Sequence, residues 1–199
     1  MTTDYIAINH WIGRGVRVLD LGCGDGSLLA HLIQTRNVCG YGLEIDPTSI
    51  HTCISKGLNV IEQDVNLGLH NFSDNAFDSV IMTQALQVMR YPHLVLDEML
   101  RIGRECVITF PNFGHWRTRV DLSFRGRMPV TEQLAYQWYD TPNIHFFTYS
   151  DFEALCCQRN IRILHRQCIS QGVVDRCLQK VWPNSVSYTH LRAHETSKH

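Results

Sequence analysis

No apolar run in the 199-residue chain approaches the roughly 18 residues that a helix needs to cross a bilayer, so no membrane partner is expected. The start, Met1-Thr-Thr-Asp-Tyr5, has no basic stretch leading into an apolar segment, and a secretory signal is not expected either. Excess charge of one sign is also lacking: 18 Lys and Arg stand against 19 Asp and Glu. Such a chain has no global field to draw it to nucleic acid or to an anionic membrane, and any partner of that kind would need a local patch. The eight cysteines include no C-x-x-C pair and are scattered at 23, 39, 53, 106, 156, 157, 168 and 177. With no secretory signal ahead of them, they read as reduced thiols of a cytoplasmic protein. Most lie in apolar runs such as Val38-Cys39-Gly40, where a free cysteine packs as a small hydrophobe, and no metal site is expected.

What is present suffices for one sizeable core, since 44% of the residues are hydrophobic and the length fits a single domain. Tyr5, Ile8, Trp11 and Ile12 fall at helical spacing, and Gly13-Arg14-Gly15 stops that helix. Val16–Leu21 reads as a short buried strand that passes through a glycine-rich turn into a helix carrying Leu28, Leu29, Leu32 and Ile33. The grammar then repeats. Strands are expected over 39–45, 59–63, 77–82 and 105–110, with helices over 47–56 and 92–101. A helix over 151–160 and a strand over 161–170 close the series. This alternation predicts an α/β fold with a mostly parallel twisted sheet and helices on both faces.

The turn Asp20-Leu-Gly-Cys-Gly-Asp-Gly26 joins the first strand to its helix, so its glycines permit a tight turn and a close backbone approach to a ligand. Its spacing is G-x-G-x-G, and Ser27 stands where a dinucleotide fingerprint would place its third glycine. That favours S-adenosylmethionine (AdoMet), which offers an amino-acid carboxylate and ammonium in place of a pyrophosphate. Asp20 is the natural acceptor for the ammonium, with Gly22, Cys23, Gly24 and Gly26 forming the loop. About 20 residues on, Glu44 ends the second strand where a carboxylate can accept from ribose hydroxyls, with Ile45 beside it and Asp46 as the nearby competitor. Asp64, with Val65 next to it, ends the third strand where it could meet an adenine amino group. Thr83 and Gln84 stand at the mouth of the fourth. An Asp after a strand is often only a helix cap. Three carboxylates at the ends of three successive strands, behind one glycine loop, make a stronger case.

Two segments break the alternation. Residues 111–150 form a long insertion rich in aromatics, Arg and Pro, beyond the carboxyl end of a strand, and connections this long are usually functional or structured. Residues 185–199 carry three histidines and no apolar periodicity.

With those residues identified, the chain from about Asp4 to Asn184 resembles the methionine biosynthesis protein MetW family of class I methyltransferase-like proteins. The generic part of the likeness is Val18-Leu-Asp-Leu-Gly-Cys-Gly-Asp-Gly26. Its more particular parts are Pro111-Asn-Phe-Gly-His-Trp116, Arg125-Gly-Arg-Met-Pro-Val-Thr131 and Tyr136-Gln-Trp-Tyr-Asp-Thr-Pro-Asn-Ile-His145, all within the insertion. The resemblance implies a Rossmann-like class I methyltransferase fold over residues 1–184 and a role in methionine biosynthesis. It also implies a partner, a homoserine O-acyltransferase whose activity the protein supports. The chain departs from the family after Trp182-Pro183-Asn184. An apolar segment there would supply a final antiparallel strand, but this sequence reads Ser185-Val-Ser-Tyr-Thr-His-Leu-Arg-Ala-His-Glu-Thr196, similar to translated adaptor sequence. The final strand is therefore expected to be lost or replaced, with residues 185–199 outside the fold.

Methyl transfer displaces at an already activated sulfonium, so positioning can supply much of the catalysis and no fixed acid–base motif is required. Whether the chain is an enzyme stays open on this ground. Met82-Thr83-Gln84-Ala85 shows neither an Asn/Asp-Pro-Pro-aromatic motif nor a Pro-Cys, which disfavours methylation of nucleic-acid bases. His115, Tyr139 and His145 are the candidate catalytic groups in the insertion, although a histidine there can equally be a satisfied structural residue. Arg117, Arg119, Arg125 and Arg127 form a basic cluster opposed by Asp121, either a solvated face or a contact for a partner or a carboxylate substrate. Two readings follow: an AdoMet-binding partner of the acyltransferase, and an AdoMet-dependent methyltransferase acting on a small molecule.

Overall fold

The computed structural model describes residues 3–131, 135–169 and 188–195. Among the described residues six α-helices and seven β-strands occur: α1 (Thr3–Trp11), β1 (Arg17–Leu21), α2 (Ser27–Arg36), β2 (Cys39–Glu44), α3 (Pro47–Ser55), β3 (Asn59–Glu62), β4 (Phe77–Thr83), α4 (Pro92–Ile102), β5 (Gly103–Pro111), α5 (Trp116–Arg125), α6 (Tyr149–Gln158), β6 (Ile161–Ile169) and β7 (Tyr188–Glu195). The sheet runs β3-β2-β1-β4-β5-β7-β6, with β7 antiparallel to both neighbours and the five strands before it parallel. The α/β fold expected from the alternation is the one observed.

Strand alternation sorts the core into two layers. Val18, Ile81 and Val107 project to one face, where they meet Ile8 and Ile12 of α1 and Leu28, Leu29 and Leu32 of α2. Leu19, Val80, Met82, Cys106 and Ile108 project to the other, where α4 delivers Val95, Leu96, Met99 and Ile102, and α6 delivers Phe152 and Cys156. Burial on both faces is why β1, β4 and β5 read as near-continuous apolar runs. Local signals set the helix starts. Asp46 accepts from Ser49 N at 2.8 Å with Pro47 in the first turn of α3, and Thr148 and Asp151 form a reciprocal capping box on α6. The cysteines 23, 53, 106 and 156 are buried and free.

The insertion contains a helix, α5, that apolar periodicity did not reveal. The sheet also continues past residue 184. Strand β7, drawn from the tail set aside in the sequence reading, pairs with β5 from Cys106↔Ala193 to Pro111↔Tyr188 and with β6 from Ile161↔Glu195 to Ile169↔Tyr188. The final strand is thus replaced, not lost. Backbone pairing requires extended geometry and free donors rather than particular side chains, so a polar tail suffices to close the gap between two strands. Ala193 is buried at its centre.

If β7 closes the sheet in solution, Ala193→Pro, which removes a ladder donor between two partners, should lower unfolding free energy by about 3 kcal/mol. Urea denaturation measures it, and an unchanged midpoint would show that β7 adds no stability.

Candidate functional site

The carboxyl ends of β1, β2, β3 and β4 converge where the strand order reverses between β1 and β4, the position at which open α/β sheets bind ligands. A cleft of about 410 Å3 lies there, lined by Gly22, Glu44 and Ile45, by Asp64, Val65 and Asn66, and by Thr83, Gln84, Ala85, Val88 and Met89. Six of the ten residues proposed from sequence, Gly22, Glu44, Ile45, Asp64, Val65 and Thr83, share this wall. The other four lie beneath or beside it.

The loop after β1 owes its shape to three left-handed glycines: Gly22, Gly24 and Gly26 have φ of 69°, 55° and 72°, values that strain any residue with a Cβ. Gly26 is also crowded, since a Cβ there would stand 2.4 Å from Leu58 Cδ1 and 2.8 Å from Cys53 Sγ. The amides of Gly22 and Cys23 donate to Leu43 O at 2.9 and 3.0 Å. Glu44 then ties the loop from the side: its Oε2 accepts from Gly24 N at 2.8 Å, and its Oε1 from Ile45 N and Asp46 N at 2.8 and 3.1 Å. Three backbone donors occupy most of the roughly four acceptor positions of a carboxylate. On the outer side, Lys56 Nζ donates to the Asp25 carbonyl and carboxylate at 2.6 and 2.9 Å. Hydrogen bonds from Ser27 and Lys56 hold the Asp25 carboxyl well below its usual range.

Asp20 lies under this loop and is 1% exposed. Neither carboxylate oxygen has a hydrogen-bond partner among the described residues. Burial, and then the negative charge of Glu44, push its carboxyl up to about 7. An anionic Asp20 would be a desolvated charge with no counter-ion, so the group is completed either by a proton or by a cation placed next to it.

Asp46, the competitor of Glu44, is engaged in capping α3 and is not part of the cleft wall. Asp64 has a capping role too, its Oδ1 accepting from Asn66 N and Nδ2 at 2.9 and 3.0 Å, while the residue still faces the cleft. Cys23 is turned inward, its sulfur 3.9 Å from that of Cys53, and burial raises its thiol.

None of His115, Tyr139 and His145 lines the cleft. His115 is buried and its Nδ1 accepts from Arg117 N at 3.3 Å, capping α5. Tyr139 is exposed, and His145 Nε2 stands 3.4 Å from Arg90 O. Sequence reasoning set Thr83 and Gln84 at the mouth of β4, and both line the cleft, but it overlooked Gln87 in the turn that follows. Gln84 has φ of 50°, a strained value for a residue with a side chain, and its amide donates to Thr109 O at 2.8 Å. Gln87 is buried: its Nε2 donates to Gln84 O at 2.6 Å, and its Oε1 has no partner among the described residues. Its backbone carbonyl accepts from both Ile144 N and His145 N at 3.0 Å. No motif in this turn announces such a role. Among the described residues no His, Cys, Asp or Glu cluster is arranged to hold a metal, and no helix is long and apolar enough to cross a membrane.

This strand order, with a left-handed glycine loop after β1 and an acidic residue ending β2, defines a Rossmann-like protein of the class I methyltransferase fold. Solved structures agree on the fold. An S-adenosylmethionine-dependent methyltransferase from Mesorhizobium loti superimposes with a TM-score of 0.70 at 13% identity, over 96% of this chain and 97% of its own. The [4+2]-cyclase SpnF superimposes with a TM-score of 0.67 at 17% identity, over 98% of this chain and 81% of its own. A family model described as methionine biosynthesis protein MetW matches residues 2–192, and the chain belongs to that family. A curated relative from Rhodopirellula baltica, named bifunctional methionine biosynthesis protein MetXA/MetW, is 35% identical over 172 residues. That match covers 82% of this chain and 28% of the relative, so the chain corresponds to about a quarter of the longer protein. The protein is accordingly methyltransferase-like and related to methionine biosynthesis.

Folded Asp20 keeps its proton to about pH 7, whereas an unfolded Asp releases it near pH 3.9. The folded state therefore binds more protons between those values, and stability should fall as pH rises through that window. From pH 5 to pH 8 the melting temperature of the wild type is expected to drop by roughly 5 °C more than that of Asp20→Asn. Parallel melts of the two proteins would contradict the burial of an unpaired carboxyl.

Proposed function

We propose that this chain binds AdoMet in the cleft at the β1–β4 switch point and works in the cytoplasm, in methionine biosynthesis, as a partner that supports a homoserine O-acyltransferase. The observation that carries the cofactor assignment is Asp20, a buried carboxyl with two unpaired oxygens directly beneath the glycine loop. A ligand bearing an ammonium completes it, and the amino-acid moiety of AdoMet bears one. The other residues fit the same group. Glu44 retains acceptor capacity for a ribose hydroxyl, Ile45, Val88 and Met89 offer apolar walls to a purine, and Asp64 and Val65 offer polar contacts at its edge. When bound, AdoMet would supply an electrophilic methyl on a sulfonium. This chain's residues would bind and orient it, with Gly22, Cys23, Gly24 and Gly26 keeping side chains out of the way and Thr83 at the mouth.

The partner assignment is supported by the Rhodopirellula baltica relative, whose name unites MetXA and MetW in one protein. A second reading, a methyltransferase acting on a small molecule, draws support from the unpaired Gln87 Oε1 and the strained Gln84 beside the cleft, since such groups can orient an acceptor. Conversion of AdoMet to S-adenosylhomocysteine in the presence of small metabolites would favour the second reading, and enhanced acyltransferase activity without it the first.

Calorimetry with AdoMet tests the site itself. Gly24→Val and Glu44→Ala should each weaken binding at least tenfold, the second because it removes a loop strut as well as a ligand contact, and unchanged affinity in both would end the assignment. Wild-type affinity should also rise from pH 6 to pH 8 as Asp20 gives up its proton. In Asp20→Asn that rise should vanish.

A further inference from the structure

A helix on a globular domain normally buries an apolar stripe. The eleven-residue α4 does so, burying Val95, Leu96, Met99, Leu100 and Ile102. The ten-residue α5 buries Thr118 alone. Its apolar residues Val120 and Phe124, one turn apart on one face, point outward, and Phe124 is 86% exposed. The segment that follows repeats the inversion: Trp138 and Tyr139, packed edge to face at 5.7 Å, are 72% and 71% exposed, and Ile144 and Phe146 are exposed as well. Single exposed hydrophobes are common, but this many on one insertion mark a surface that another molecule covers.

The charge beside it is one-sided. Four arginines, 117, 119, 125 and 127, accompany a single acid over residues 116–127, Asp121, which pairs with Arg125 at 3.2 Å on the surface. An exposed pair of this kind is worth little and opens readily. Exposed aromatics next to arginines match the composition of interface centres. Two copies of this helix meeting face to face would set arginine against arginine, which disfavours self-association.

We infer that the outer face of the insertion, α5 with residues 136–146, is the docking surface for the homoserine O-acyltransferase, on which it would meet an acidic, apolar-pocketed patch. This rests on the partnership proposed above, to which the fused relative lends its support. The face is wired to the cofactor cleft. Ile144 N and His145 N both donate to the carbonyl of Gln87, whose side chain in turn donates to Gln84 O on the cleft wall. Docking on 136–146 therefore bears on the turn that shapes the AdoMet site.

The test uses the full chain and the purified acyltransferase of the same genome, with and without AdoMet. Phe124→Ala with Trp138→Ala, and separately Arg117→Glu with Arg125→Glu, should each weaken complex formation at least thirtyfold by calorimetry. AdoMet affinity and melting temperature should stay near wild type, since neither pair touches the cleft or the core. Arg14→Glu, exposed beyond α1, should bind as wild type. Normal binding by both double variants, with the wild type also binding, would overturn the docking face and leave the partnership intact. Absence of binding by the wild type in either condition would overturn both. A wild-type dimer dissolved by these substitutions would reassign the face to a second copy and sink the inference.

Discussion

The hydrogen bond from Gly24 N to the Glu44 carboxylate joins the centre of the β1 loop to the end of β2. Three successive left-handed glycines give the β1 loop freedom that an unsupported backbone would spend on many conformations. Leu43 fixes its first half through the amides of residues 22 and 23, and Glu44 fixes its centre. The loop in turn roofs Asp20 and excludes water from it, which is why that carboxyl titrates so far from its ordinary range. One side chain at the end of β2 therefore underlies loop geometry, cleft shape and the electrostatics of a residue on another strand.

Much of this was legible in the sequence because it depends on local rules. Glycine spacing, a buried strand before the loop and a carboxylate at the end of each of the next two strands are all one-dimensional signals. The parallel sheet followed from the repeating β-α grammar. What escaped depends on tertiary context. Helix α5 buries no apolar stripe, so periodicity could not report it. Gln87 matters through where its carbonyl and amide point, and no residue spacing encodes that. His115 read as a chemical candidate and sits as a cap, an outcome the sequence allowed but could not choose.

The fold alone leaves the activity open. Chains with 13% and 17% identity keep the same architecture while one is described as a methyltransferase and the other as a cyclase, as expected where a scaffold supplies position and the grafted parts supply function. The grafted part here is the insertion after β5. It contributes none of the residues that line the cleft, and its aromatics face outward.

Strand β7 carries a different lesson. Its neighbours β5 and β6 present their edges to each other across one strand width, and a chain of low apolar content bridges them through main-chain pairing over eight residues. A slot defined by backbone donors and acceptors is permissive toward what fills it. The end of this domain is thus an interchangeable part: a different segment could occupy that slot while the cleft, two to three strands away, keeps its geometry.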